Sequence, residues 1–173
     1  DFDKNGTLAV AVTNSGSGNV SVLLGNGNGT LQPAVNYSAG LTPAFVVAAD
    51  FDGNGKLDLA VANKGEASLS LLAGNGDGTF QAKVTEQVGT TPTAIALGDV
   101  NKDGALDMVS VNSVSGSVTV LLNTGGTTMS TASSRNPSNF GDSVTFTSTV
   151  AASLKEQPAP TGSRTTSPAR SKG

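Results

Sequence analysis

The chain repeats itself every 49 residues, and this limits its possible folds more than any other feature. "DFDKNGTLAVAVTN" starts at Asp1, "DFDGNGKLDLAVAN" at Asp50 and "DVNKDGALDMVSVN" at Asp99. Residues 1–49 align with 50–98 without a gap, and 22 of the 49 positions are identical. A unit this short cannot bury a core alone, so neighbouring copies must cover one another. The third copy runs to about Gly125 and stops half way.

Each unit has one internal order. A short apolar run comes first ("AFVVAA", 44–49; "AIALG", 94–98), then an Asp-rich turn, then an alternating segment ("LDLAVAN", 57–63). A small-residue turn leads to "SLSLLAG" (68–74), a glycine turn "GNGDGTF" (74–80), and an extended run over 81–88. Alternation marks strands, and turn signals every 8–12 residues separate them. Four antiparallel strands per repeat of roughly 40–50 residues is the pattern of a propeller blade. The expectation is all-β: a partial β-propeller of about two and a half four-stranded blades. Such an arc cannot close, because propellers typically have four to eight blades. It would leave strand edges exposed at both ends, and self-association is expected.

Composition agrees and excludes several function classes. Of 173 residues, 22 are glycine, aromatics are 4%, and Trp is absent. No stretch has helical periodicity. Cys and His are both absent, which removes Cys/His zinc sites, thiol nucleophiles and Ser–His triads. No apolar run approaches the roughly 18 residues of a membrane span, and no signal-peptide pattern occurs. The chain opens in the middle of a repeated motif, so it reads as cut from a longer one. Residues 1–125 carry eleven acids and five lysines without an arginine, net −6. Residues 126–173 carry two acids and five basic residues, net +3. The acidic part has no basic stripe for nucleic acid.

The Asp-rich turns carry the chemistry. They read D-x-D-x-N-G-x-x-A at 1–9, D-x-D-x-N-G-x-x-D at 50–58 and D-x-N-x-D-G-x-x-D at 99–107. Carboxylates so close repel one another unless a cation sits among them. Side-chain oxygens at positions 1, 3 and 5 can converge when the chain curls, and glycine at position 6 permits the bend. The carbonyl of position 7 (Thr7, Lys56, Ala105) then faces inward, and position 9 adds a carboxylate (Asp58, Asp107). An all-oxygen shell of this kind suits Ca²⁺ better than Mg²⁺, which keeps more water. An EF-hand needs Glu at position 12 and flanking helices. Here position 12 is Val12, Val61 or Ser110 and the flanks are strands. The competing reading is a plain Asx-rich β-turn held by side chain to backbone bonds. Three copies in phase favour the cation. The first loop has Ala9 in place of the last carboxylate and is expected to bind most weakly. At roughly 2 mM Ca²⁺ and Kd of ~10⁻⁴–10⁻³ M, each loop would add about 0.6–1.8 kcal/mol, a structural contribution.

These loops, with "VSVLLGNGNGT" (20–30, from Val20), "LSLLAGNGDGTF" (69–80) and "VTVLLNTG" (118–125), resemble the FG-GAP/VCBS repeats of bacterial surface proteins, relatives of the calcium-binding blades of integrin α-subunits. The resemblance covers residues 1–125. It implies a secreted or cell-surface β-propeller with Ca²⁺ in its loops. The implied ligands are Asp50, Asp52, Asn54, Lys56 through its carbonyl and Asp58. In the third loop they are Asp99, Asn101, Asp103, Ala105 through its carbonyl and Asp107. In the first they are Asp1, Asp3, Asn5 and Thr7 through its carbonyl, and Ala9 departs from the pattern. Residues 127–150 resemble the opening of a bacterial Ig-like domain, with Asn136-Pro137-Ser138, Gly141 and "SVTFTSTV". "SRTTSPARSKG" then breaks that pattern, as a truncated or frame-shifted gene would. The expected division is a propeller fragment at 1–125, truncated Ig-like strands at 126–151 and a disordered tail at 152–173.

Other signals carry less. "GNGNGT" and "GNGDGT" lack a following helix and a Lys-Ser/Thr, so they read as hairpin turns rather than phosphate loops. Asn-x-Ser/Thr at Asn5, Asn19, Asn28 and Asn36 is expected by chance in this composition. Catalysis is not expected: residues 1–125 hold no His or Arg, and their aspartates are mostly committed to the loops. The expected role is adhesion or ligand binding at a cell surface, with calcium fixing the turns. Partners would be a surface protein or glycan and the remaining blades of the parent chain. The alternatives are a lectin-like propeller, which scarce aromatics disfavour, a polysaccharide lyase fragment, an inert spacer, and a gene remnant.

Overall fold

A computed structural model describes residues 1–123 and the backbone of 129–135. It contains eleven strands in three antiparallel sheets, and no helix among the described residues. The first sheet runs β1 (Val10–Asn14), β2 (Asn19–Leu23), β3 (Val35–Ser38). The middle sheet runs β4 (Pro43–Ala49), β5 (Asp58–Asn63), β6 (Ser68–Leu72), β7 (Val84–Gln87). The third runs β8 (Pro92–Gly98), β9 (Asp107–Asn112), β10 (Ser117–Asn123), β11 (Met129–Arg135). Strand order follows chain order in every sheet, and the second and third Asp loops join β4 to β5 and β8 to β9, while the first leads into β1.

The strand count differs from two and a half units. The sheets hold three, four and four strands. The first lacks a counterpart of β4, whose repeat position falls before Asp1. The third gains β11, which pairs with β10 along seven residues, from Ser117↔Arg135 to Asn123↔Met129. A central strand with one bare edge has unpaired N–H and C=O groups, and this segment satisfies them. β11 lies within the stretch expected to open an Ig-like module. Residues 136–173, with the rest of that stretch and the expected tail, lie outside the described residues.

The middle sheet shows why the repeat folds. Side chains on a strand alternate between faces, and every residue of β5 is buried. Leu59 and Val61 face the first sheet, in a cluster with Phe2, Val20, Val22, Leu72 and Phe80. Ala60 and Ala62 face the third, with Leu69, Ile95, Met108 and Leu121. Phe80 stands edge-on to Phe2 and Tyr37, with ring centroids 5.3 and 5.4 Å away. The inner strands β4 and β8 neighbour each other, and β1, the repeat counterpart of β5, lies against β4 as β5 lies against β8. The second and third Asp loops therefore each lie between an inner strand and the buried strand that follows, and the first holds the same place before β1.

A Leu59→Ala substitution leaves a cavity between two sheets and is expected to cost about 2–5 kcal/mol. Val114→Ala, in the exposed β9–β10 turn, is expected to stay within about 0.5 kcal/mol. Urea unfolding of the two variants checks the contrast.

Candidate metal centre

The three loops share one conformation because their side chains bond their own backbone. In the second loop Asp50 accepts from the amides of Asn54 (3.1 Å) and Gly55 (2.7 Å). Asp52 accepts from the Asn54 amide (3.1 Å) and its side-chain nitrogen (2.7 Å), and Asn54 Oδ1 accepts from the Lys56 amide (2.9 Å). The first loop repeats this: Asp1 takes the amides of Asn5 (3.1 Å) and Gly6 (2.8 Å), Asp3 takes Asn5 Nδ2 (2.7 Å), and Asn5 takes the Thr7 amide (2.7 Å). The Thr7 hydroxyl also donates to Asn5 Oδ1 and, at 3.0 Å, to the Gly25 carbonyl. In the third, Asp99 takes the amides of Asp103 (3.1 Å) and Gly104 (2.9 Å). Asn101 takes the Asp103 amide (3.0 Å) and donates to Asp103 Oδ2 (2.8 Å), and Asp103 Oδ1 takes the Ala105 amide (2.8 Å).

The bend uses two left-handed residues, not one. Position 6 has positive φ in all three loops (Gly6, Gly55, Gly104), and so does position 4 (Lys4, Gly53, Lys102). Sequence reading identified only position 6. Gly53 was the visible signal, but the two lysines hid it, since side chains rarely adopt this conformation.

Position 9 does more than supply charge. Asp58 accepts from the Phe51 amide (2.9 Å) and the Gly74 amide (2.7 Å), tying the loop to the end of β6. Asp107 does the same with Val100 (2.8 Å) and Asn123 (2.8 Å) at the end of β10. Ala9 offers no such tie. Burial pushes the Asp58 carboxyl above the ordinary 3.8, the Gly74 and Phe51 amides oppose this, and Asp52 and Asp50 add to the upward push. A raised carboxyl favours the protonated folded form. Its contribution to metal-free stability is full below about 3.8 and fades as pH rises through the folded value.

The second loop gathers its charge most tightly. Asp50, Asp52 and Asp58 each place one carboxylate oxygen within 4.8 Å of the others, the one such group found among the described residues. The third loop also has three aspartates, but at positions 1, 5 and 9, and its position-5 carboxylate accepts from Asn101 and Ala105. The first has two. Oxygens that accept one N–H keep a second lone pair. No lysine pairs with the Asp50–Asp52–Asp58 group among the described residues; the ion pair found there is Lys83–Glu66, at 4.0 Å. In the first loop Asp3 Oδ1 is shielded from solvent without a hydrogen-bond partner. Such a donor set can hold a hard divalent cation, and it is compatible with calcium.

The glycine turns are hairpin structures. Asp77 accepts from the Thr79 hydroxyl (2.5 Å) and amide (2.9 Å), and these bonds, the hydroxyl first, lower its carboxyl. A buried polar network went unread in the sequence. Asn63 donates to Ser68 (3.0 Å) and Ser70 (2.9 Å), and Asn112 to Ser117 (3.3 Å) and Thr119 (2.9 Å). Its signal was the recurrence of Asn14, Asn63 and Asn112 at one position of the repeat.

Comparison with known proteins places the chain. The profile of the FG-GAP-like repeat matches residues 1–61 and again residues 50–110. The chain belongs to the FG-GAP-like repeat family. No curated protein matches it.

Asp107→Ala strands the buried amide of Asn123 and frees the partly exposed amide of Val100 to water. Denaturation in excess chelator is expected to show a loss of about 1–3 kcal/mol, the cost of one buried donor left without an acceptor.

Proposed function

We propose that this chain is a calcium-stabilised segment of a β-propeller from a secreted or cell-surface protein, serving adhesion or ligand binding. The carrying observation is the convergence of Asp50, Asp52 and Asp58 within 4.8 Å without a pairing lysine or arginine among the described residues. Three carboxylates so placed repel one another, and a divalent cation removes that repulsion. The residues that would hold it are Asp50, Asp52, Asp58 and Asn54 in the second loop, with the carbonyl of Lys56. The corresponding set in the third loop is Asp99, Asn101, Asp103, Asp107 and the carbonyl of Ala105. Asp1, Asp3, Asn5 and the carbonyl of Thr7 form a weaker set. Calcium supplies charge neutralisation and rigidity. A propeller is supported by strands that follow chain order in each sheet, by the neighbouring inner strands β4 and β8, and by the β1–β4 contact that repeats as β5–β8. An outward ligand-binding role fits a scaffold whose carboxylates are already engaged by the loop amides.

Thermal melts test the reading. Millimolar Ca²⁺ is expected to raise Tm over chelator by roughly 3–10 °C, from about 0.6–1.8 kcal/mol per occupied loop. Asp52→Ala should remove more of the rise than Asp3→Ala. The rise should shrink as pH falls into the carboxylate range, because protons compete for Asp58. Identical melts in calcium and chelator would overturn the proposal.

A further inference from the structure

The first sheet presents an outer face whose counterpart in the middle sheet is a filled socket. Val10 and Val12 occupy the repeat positions of Leu59 and Val61, and Leu31 that of Phe80. Leu59 and Val61 are fully buried and Phe80 is 7% exposed, whereas Val10, Val12 and Leu31 are 41–43% exposed. An open groove of about 550 Å³ runs along Leu8, Val10, Gly25, Gly29 and Leu31. Leu8, the counterpart of Leu57, is 84% exposed.

The internal contact shows what such a face receives. Gly78 donates its amide to the Phe2 carbonyl at 3.0 Å, and a Cβ on Gly78 would meet Leu24 at 2.6 Å. The preceding sheet thus reaches into the middle sheet's glycine turn. Gly29 is the counterpart of Gly78, and a Cβ there would meet nothing within 4 Å. A second latch lies at the far end of the same contact: a Cβ on Gly40 of the first unit would lie 2.5 Å from Asn63 Cγ. Gly89 repeats this against Asn112 Nδ2 at 2.7 Å. Asn14 holds the same repeat position in the first sheet.

The complementary half is on the third sheet. Val109, Val111 and Val118 take the repeat positions of Ala60, Ala62 and Leu69, which face the next sheet in the middle unit. Val111 and Val118 are cross-strand partners, and Val111 is 46% exposed. Val100, the counterpart of Phe2, is 54% exposed. The two ends of the stack are therefore the two halves of one contact that the chain already makes twice within itself.

We propose that the outer face of the first sheet binds the outer face of the third sheet of a second copy of this chain, head to tail. The contact is heterologous. With the propeller reading of the preceding subsection, two copies would close into six sheets, within the range of closed rings. The docking itself rests on the repeated interface and does not need calcium.

Sedimentation and light scattering of the full chain, from micromolar to millimolar concentration, test it. The expected species has twice the 17.1 kDa chain mass. A Val10→Lys, Val12→Lys double variant and a Val111→Lys variant are each expected to raise the dissociation constant at least about tenfold. Far-UV circular dichroism verifies that each retains its sheets. Mixing the two variants should restore a dimer, because each keeps the half that the other lacks. Val84→Lys, on the β7 edge, should leave the dimer intact. A monomer at all concentrations, or variants that associate like the parent chain, would overturn the proposal. Loss of the dimer in Val84→Lys alone would overturn it in favour of edge pairing. Mass growing past the dimer, and abolished by the same face variants, would uphold the docking and overturn ring closure.

Discussion

The structure depends on sheets burying one another's faces. A four-stranded sheet of 49 residues has two apolar faces and no helix to cover either. β5 meets this with alternation on both sides: Leu59 and Val61 toward one neighbour, Ala60 and Ala62 toward the other. On the side of the third sheet the small Ala60 and Ala62 leave room for Ile95, Met108 and Leu121. Removing either neighbour would expose a row of side chains that now have no contact with water.

The Asp loops answer a second constraint. Between the inner strand and the buried strand the chain must reverse sharply, and its amides must find acceptors. Asp50, Asp52 and Asn54 supply those acceptors locally. Asp58 and Asp107 then anchor each loop to the far end of the neighbouring hairpin strand. One residue type therefore solves the turn and concentrates negative charge at the same time. The proposed calcium is a consequence: carboxylates gathered for the fold become a place where a cation lowers the energy. The Asx-turn and cation readings of the sequence describe two aspects of one loop.

Much of the fold was legible because the repeat is strict. "AFVVAA", "LDLAVAN" and "SLSLLAG" fall on β4, β5 and β6, and the 49-residue offset carries the assignment to β8, β9 and β10. The loop carboxylates were legible for the same reason. What was hidden depended on contacts between units. The tie from Asp58 to Gly74 spans sixteen residues, and nothing local announces it. Asn63 is only the last letter of the alternating segment and Asn112 carries no signal of its own, yet both are buried against serine and threonine hydroxyls. β11 was hidden by composition, because "MSTASSR" has little apolar content and gains its strand from the free edge of β10.

Native-state hydrogen exchange on the monomeric face variants tests most directly whether stacking holds the molecule together. Amides of β5 and β6 are predicted to exchange only through global unfolding, while those of β1 and β2, with one face bare, open at lower free energy. If the middle-sheet amides exchange as fast as those of the first sheet, burial between sheets is not what stabilises this chain.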